Sequence, residues 1–370
     1  MSLLLATLLA AAPAVSSAPY GVTAAGERVE RMILRNARGM SVAILTYGGI
    51  IDEVRVRDRR GRAANVVLAL PDLASHEKRA NFGSLIGRYA GRISGGGFTL
   101  DDRRHPLPNP VTSHGGAPGF GARVWRAEPC ATPGCSAVTL RYASADGENG
   151  FPGALAVAVT YTLTADDTLR LDYQATTTRP TVVNLTHHAY FNLGGGTSGS
   201  ADGQYLRIPA SHILELDERR VPTGALLPVA GTPFDLRAPS RIGDRVGSTH
   251  PQMRLARGFD HWFLLDRAKS PALAACAFDP ASGRTLDVRT TAPGVQLYTA
   301  NSFDGTLAGA GGRTIRQGDG YAIETQAAPD APNRPAFAST TLRPGNTYRV
   351  TTTFRFGTAP SLAAFDRSCR

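Results

Sequence analysis

Short stretches in which apolar and polar residues alternate recur along nearly the whole 370-residue chain. Such period-two runs are typical of β-strands, because successive side chains point to opposite faces of a sheet. These period-two runs, together with short runs rich in β-forming residues, cover residues 41–47, 51–56, 66–70, 137–142, 154–163, 169–178, 285–290, 295–300 and 348–356. Helical patterns are almost absent, and only residues 70–79 favour a helix. The pattern predicts an all-β protein built as a large antiparallel β-sandwich.

The chain shows no break in composition and no repeat of fixed period between residues 19 and 357. Hydrophobic residues make up 42% and charged residues 19%, which is typical of a soluble globular protein. Large all-β domains commonly exceed the usual domain length. We therefore predict one β-sandwich domain over residues 19–357, followed by a C-terminal tail at residues 358–370.

The first 18 residues form a short apolar run that ends in small residues. This pattern predicts a signal peptide cleaved after Ala18, and hence a periplasmic or secreted protein. The usual positive charges are missing at its start, so a leader on a cytoplasmic protein is the alternative. The run is too short to span a bilayer as a helix, and we expect no stable membrane insertion.

Four cysteines suit an exported protein. Cys130 and Cys135 flank a Pro-Gly turn, and we predict a disulfide between them. A zinc site is the competing interpretation, but the spacing is not repeated as a second pair. The pairing of Cys276 and Cys369 stays open at this stage.

The net charge of +10 comes almost entirely from arginines that are spread along the chain. No nucleic-acid recognition motif accompanies them, and no arginine cluster is interleaved with aromatic residues. The sequence therefore predicts no nucleic-acid partner.

Two separate apolar segments each contain polar groups that need an explanation. Residues 184–193 contain His187 and His188, and residues 321–326 contain Glu324. An imidazole and a carboxylate brought together from separate strands form an acid/base couple without a nucleophile. The two histidines point to opposite faces if their segment is a strand, so they do not readily share a metal ion.

Other polar residues stand in settings that suit a sugar. His114 precedes two glycines, Asp260 lies between aromatic residues, and Gln296 lies on a strand-like run. Sugar rings have apolar faces for aromatic side chains and hydroxyls for planar polar groups. Taken singly, each of these residues is as readily explained by a structural role.

Several motifs occur together in an order that resembles the aldose 1-epimerase (galactose mutarotase) family from about Gly21 to Phe356. They are Gly87–Ile93, His114–Gly116 with Gly119–Phe120, Gly150–Gly153, Asn184–Leu193, Phe234–Arg237, Gly258–His261, Pro293–Gln296 and Glu324–Gln326 with Pro329–Ala331. The resemblance implies that family's antiparallel supersandwich, which agrees with the strand pattern.

The resemblance also implies an activity: interconversion of the α and β anomers of free hexoses of the glucose or galactose type. Glu324 would be the general base at the anomeric hydroxyl and His188 the general acid at the ring oxygen. Residues implied to bind sugar hydroxyls are Arg92, His114, Asp260 and Gln296. The implied enzyme needs no cofactor and no metal, takes a free monosaccharide, and is a monomer or a weak dimer.

Two residues depart from the family pattern. Gly91 stands where the family often has asparagine, and His187 replaces a frequent asparagine beside the acid. These departures bear on sugar preference more than on the reaction.

Three alternatives stay open. The protein could epimerise a hexose 6-phosphate, which requires a basic pocket for the phosphate. Asp260 and Glu324 could instead form a glycosidase pair. The third alternative is a non-catalytic carbohydrate-binding sandwich.

Overall fold

The fold comes from a computed structural model that describes residues 14–266 and 270–369. Most of the predicted leader lies outside the described residues. Its last five residues, 14–18, belong to the first strand, where they pair with residues 31–35. Cleavage after Ala18 stays a prediction.

Strands form most of the regular structure of the described residues. In chain order they are β1 Ala14–Val22, β2 Arg28–Arg35, β3 Ser41–Leu45, β4 Ile51–Arg57, β5 Ala63–Asn65, β6 Leu85–Ile86, β7 Arg92–Ile93, β8 Gly97–Leu100, β9 Arg103–Pro106, β10 Thr112–Ser113, β11 Arg126–Pro129, β12 Ala137–Ser144, β13 Leu155–Leu163, β14 Thr168–Thr177, β15 Thr181–Val182, β16 Thr186–His187, β17 Tyr190–Phe191, β18 Tyr205–Arg207, β19 Ala210–Leu216, β20 Pro222–Pro228, β21 Ser240–Arg241, β22 Asp260–Leu265, β23 Ala272–Phe278, β24 Arg284–Thr290, β25 Gly294–Tyr298, β26 Asp304–Ala308, β27 Thr314–Arg316, β28 Tyr321–Gln326, β29 Thr341–Leu342 and β30 Tyr348–Thr358.

Helices are short. The α-helices are α1 Leu73–Lys78, α2 Gly243–Val246, α3 Pro251–Ala256 and α4 Leu362–Ser368, and the 3₁₀ turns are Phe120–Ala122, Glu148–Gly150, Ala310–Gly312 and Ala331–Asn333. In the described part of the chain, no helix has the length and apolar character needed to span a membrane.

Three antiparallel sheets carry the architecture. A nine-stranded sheet has the order β11-β12-β13-β14-β30-β24-β23-β18-β21, and a six-stranded sheet has the order β17-β28-β25-β22-β19-β20. A five-stranded sheet, β1 to β5 in sequence order, lies beside them. One core of apolar side chains joins all three, as expected for sheets that each bury one face. The predicted antiparallel β-sandwich is therefore confirmed.

Strand β14 shows why the period-two pattern predicts these strands well. Leu169, Leu171, Tyr173 and Ala175 point into the core, while Arg170 and the other intervening side chains are more exposed. Full burial of a leucine stabilises the fold by about 2 kcal/mol, which fixes the register of the strand. A short turn that includes residues 165–167 joins β13 to β14 as an antiparallel hairpin.

The predicted strand at residues 66–70 is wrong. Its β-branched and apolar residues are buried, but the segment crosses between sheets instead of joining one. Val66 donates its amide hydrogen to the carbonyl of Val54, and Leu68 donates to that of Tyr190. The apolar pattern thus predicts the burial of this segment correctly, but its backbone hydrogen bonds do not form a regular ladder.

The single predicted helix is confirmed in shortened form, because α1 begins only after Asp72, whose carboxylate caps it. Three further helices escaped prediction. One of them, α4, lies in the predicted tail, where the disulfide between Cys276 and Cys369 fastens it to β23. The predicted disulfide between Cys130 and Cys135 is also present.

Candidate active site

A cavity of about 440 Å³ opens on the face of the six-stranded sheet that points away from the nine-stranded sheet. All six residues of β28 are buried, because one face of the strand packs on the core and the other lies at the enclosed cavity. Tyr321, Ile323 and Thr325 face the core, and Thr325 contacts Thr352 of the nine-stranded sheet at 2.6 Å. The alternate side chains of β28, including Glu324, therefore face the cavity.

Neighbouring strands place two more predicted residues beside Glu324. Gln296 on β25 lies directly opposite Glu324 in the register. Asp260 begins β22, the next strand of the sheet, and pairs with Tyr298. Three polar side chains from three adjacent strands thus form the floor of the cavity.

The other predicted residues come from outside the six-stranded sheet. Strands β7 and β10 pair Arg92 with Ser113, which brings the following residue, His114, to the same wall. His114 has a left-handed backbone (φ 52°), and its amide donates to the carbonyl of Gly91. His188 follows β16, and its backbone amide donates a hydrogen bond to the carbonyl of Ser84.

His188 and Glu324 are in direct contact. The Nε2 atom of His188 lies 3.5 Å from Oε1 of Glu324, and both side chains are almost completely buried. Burial disfavours the charged form of each group. It raises the pKa of Glu324 to about 8, with Asp260 adding to the effect, and lowers the pKa of His188 to about 4. Between these values the pair holds one proton.

Asp260 is held at both carboxylate oxygens. Oδ1 accepts a hydrogen bond of 2.8 Å from the amide of Gln296, and Oδ2 lies 3.2 Å from the guanidinium of Arg92. This arrangement fixes three polar side chains relative to one another.

Several buried polar atoms of the cavity wall have no hydrogen-bond partner among the described residues. They are Nδ1 of His114 and His188, Oε1 of Gln296, Oε2 of Glu324, and both amide atoms of Gln326. Buried polar groups are normally satisfied, so this concentration indicates a site that receives a polar ligand.

The structure brings all six predicted site residues to one cavity and adds others. Gly91 also lines it, at a left-handed φ of 81°, whereas His187 lies outside it and contacts the carbonyl of Gly49 at 3.1 Å. Lining residues that the sequence did not single out include Tyr190, Tyr298, Gln326, Arg220 and Arg257. Gln326 had a signal, since it ends the quoted Glu-Thr-Gln motif.

His114, His188 and Glu324 also have the donor chemistry of a metal site. One ligand atom from each lies within 4.8 Å of the others, and two imidazoles with a carboxylate suit a zinc-like cation. The expectation of a site that works without a metal stays a prediction.

Comparison with known proteins connects this geometry to one family. A family profile described as aldose 1-epimerase matches residues 30–355. The chain is 41% identical to the galactose mutarotase of Rattus norvegicus over 90% of this chain and 96% of that protein. It is 33% identical to the aldose 1-epimerase of Escherichia coli K12 over the same shares. A crystal structure of galactose 1-epimerase from Lactobacillus acidophilus has a TM-score of 0.83 at 30% identity, covering 94% of this chain and 99% of that one.

Proposed function

The chain belongs to the aldose 1-epimerase family, and from that premise we propose that Glu324 and His188 open and reclose the ring of a free hexose of the glucose or galactose type. An aldose 1-epimerase is an isomerase, and its reaction needs one acid and one base at the two oxygens bonded to C1, the ring oxygen and the anomeric hydroxyl. The buried His188–Glu324 contact carries the proposal, because this pair supplies one exchangeable proton next to the unpaired polar atoms.

The reaction proceeds by two proton transfers, one to Glu324 and one from His188. Burial favours the proton on Glu324, but the pair reacts from the arrangement with the same single proton on His188 and with Glu324 ionised. Glu324 then takes the proton of the anomeric hydroxyl while His188 gives its proton to the ring oxygen, and the bond between C1 and the ring oxygen breaks. The aldehyde rotates about the C1–C2 bond and closes on its other face. The two groups then act in the opposite sense, as microscopic reversibility requires. The pair thus ends the cycle with the proton it began with.

The remaining side chains hold the sugar. Arg92, His114, Asp260 and Gln296 offer charged or planar hydrogen-bonding groups to the hydroxyls, and Arg92 and His114 also stabilise charge that develops on oxygen. Tyr298 and Tyr190 offer aromatic surface to the apolar face of the ring. Polarimetry tests the proposal: purified protein should speed the approach of α-glucose and α-galactose to anomeric equilibrium, whereas a binding protein without catalysis would not.

The pKa values predict a bell-shaped pH profile with a broad plateau. Below about pH 4 both groups of the pair carry protons, so no base is available, and above about pH 8 neither does, so no acid is available. We expect kcat/KM to fall about tenfold per pH unit beyond either limit. Polarimetry from pH 3 to 10, with the uncatalysed rate subtracted, measures it. A rate that keeps rising from pH 8 to 10 would contradict the shared proton.

We further propose that the protein is exported. All four cysteines are paired in disulfides, which suits an oxidising compartment and supports the leader predicted over residues 1–18. Fractionation of the producing cells and N-terminal sequencing provide the test. The mature chain should begin at Pro19 and be found outside the cytoplasm, and retention of Met1 on a cytoplasmic protein would exclude export.

A further inference from the structure

Two arginines line the active-site cavity without having a part in the mechanism proposed above. Arg220 follows β19 and Arg257 follows α3, and both side chains are exposed. Glu324 and His188 lie buried in the same cavity. We propose that the two arginines form an anion subsite, which holds a phosphate or carboxylate group carried by the sugar on a carbon remote from C1.

The local backbone fixes where both arginines start. Arg220 has a left-handed φ of 60° in the turn after β19, and its amide donates to the carbonyl of Asp217. Arg257 has a φ of 61° at the end of α3, and its carbonyl accepts a hydrogen bond from the amide side chain of Gln317. Residues other than glycine and asparagine seldom occupy this backbone region. The two guanidinium groups therefore extend from defined positions.

The charged side chains that line the cavity do not balance. Three arginines and two carboxylates line it, and Arg92 is already paired with Asp260. Within residues 14–266 and 270–369, neither Arg220 nor Arg257 has a carboxylate within 4 Å, whereas several arginines elsewhere in the fold do. Free guanidinium groups next to a sugar site favour anions, since their planar forks bind phosphate and carboxylate in a bidentate manner.

The position of the arginines decides which part of the sugar they meet. The inference rests on the proposed function, because that places C1 between the buried Glu324 and His188. A substituent that contacts the exposed guanidiniums must then project toward the cavity mouth. Phosphate and carboxylate share the chemistry required, so hexose 6-phosphates and hexuronates are the two candidate substrate classes.

Rates on three sugars test the subsite in the intact protein. Anomerisation of glucose, glucose 6-phosphate and glucuronate is followed by NMR exchange or polarimetry, with uncatalysed rates subtracted. We expect kcat/KM at low ionic strength to be at least about tenfold higher for one or both anionic sugars, the size of one charge-assisted contact. The advantage should shrink at 0.5 M salt because exposed charges are screened. The two anionic sugars distinguish phosphate from carboxylate.

A double variant, Arg220→Asn with Arg257→Asn, isolates the two side chains, because asparagine tolerates the left-handed backbone. It should lose the preference for the anionic sugar while changing the rate on glucose less than twofold. The matched control is Arg219→Asn with Arg254→Asn, which removes the same charge from neighbouring positions that do not line the cavity. Equal rates on charged and neutral sugars, or equal effects of the two double variants, would overturn the subsite. Absence of activity on glucose would instead refute the proposed function itself.

Discussion

Replacing Glu324 with glutamine is expected to lower kcat about a thousandfold while leaving the protein folded. The amide has nearly the same shape but cannot accept the proton of the anomeric hydroxyl, and general acid/base groups typically contribute 10²- to 10⁴-fold. His188 remains in place, but without the carboxylate the site has no base at the anomeric hydroxyl. Polarimetry at pH 7 measures the loss.

The same substitution should stabilise the protein at high pH. Burial raises the pKa of Glu324 to about 8, so the native state favours the protonated form. The wild-type protein therefore loses stability as pH rises from the ordinary carboxyl range to about 8, and above that it bears the full cost of a buried charge. Glutamine avoids this cost, so the free energy of unfolding at pH 9 should rise by a few kcal/mol. The gain should vanish near pH 4.

A matched control separates the chemistry from the general effect of removing a carboxylate. Asp52 is also largely enclosed, but it lies on β4 and pairs with Arg31 instead of lining the cavity. Asp52→Asn should keep kcat within about twofold of the wild type. If Glu324→Gln were as active as Asp52→Asn, another group would have to be the base.

The alternation of apolar and polar residues was enough to predict the long strands. In β13, and in β14 from Leu169 onward, buried side chains alternate with more exposed ones, so the sequence indicates which face of each strand is covered. The buried run at residues 66–70 shows no such alternation. A continuous apolar segment indicates burial but not which backbone partners it takes, and here the partners are irregular.

The acid and base could be predicted because each is a polar group in an otherwise apolar strand. Arg220 and Arg257 have no comparable signal. They are exposed arginines in a turn and at a helix end, among many arginines that contact nothing in the cavity. Only the fold brings these positions to the same opening as Glu324, because they are 104 and 67 residues away from it in the chain.

The second large effect concerns Arg88, which lies four residues before Arg92 and is only 2% exposed. Its guanidinium donates to the carbonyls of Gly153 at 2.7 Å and Pro152 at 3.0 Å, and to the hydroxyl of Ser144. Further acceptors are the carbonyls of Ala145, Phe151 and Ser144. Burial lowers the pKa of Arg88 to about 10, against the opposing effect of the Glu148 and Asp146 carboxylates, so the guanidinium is charged at neutral pH.

The segment that Arg88 fastens also supports the cavity. Asn149, within that segment, donates its side-chain amide to the carbonyls of Gly115 and Pro118, in the loop that carries His114. A change at Arg88 should therefore affect both the stability of the fold and the position of a sugar-binding histidine. Both effects arise at a residue that does not line the cavity.

Arg88→Met should lower the free energy of unfolding by about 3–5 kcal/mol, because it leaves a cluster of buried carbonyls without donors. Urea denaturation measures the change, and the surviving folded protein should show a raised KM as His114 loses its support. Arg88→Lys should recover only part of the stability, since an ammonium cannot reproduce a planar fork. Arg126→Met is the control: its exposed pair with Glu128 should be worth less than about 1 kcal/mol. Equal losses of stability for Arg88→Met and Arg126→Met would show that the buried network contributes little. A loss of stability confined to Arg88→Met, together with a raised KM, would show that this one guanidinium supports both the fold and the sugar site.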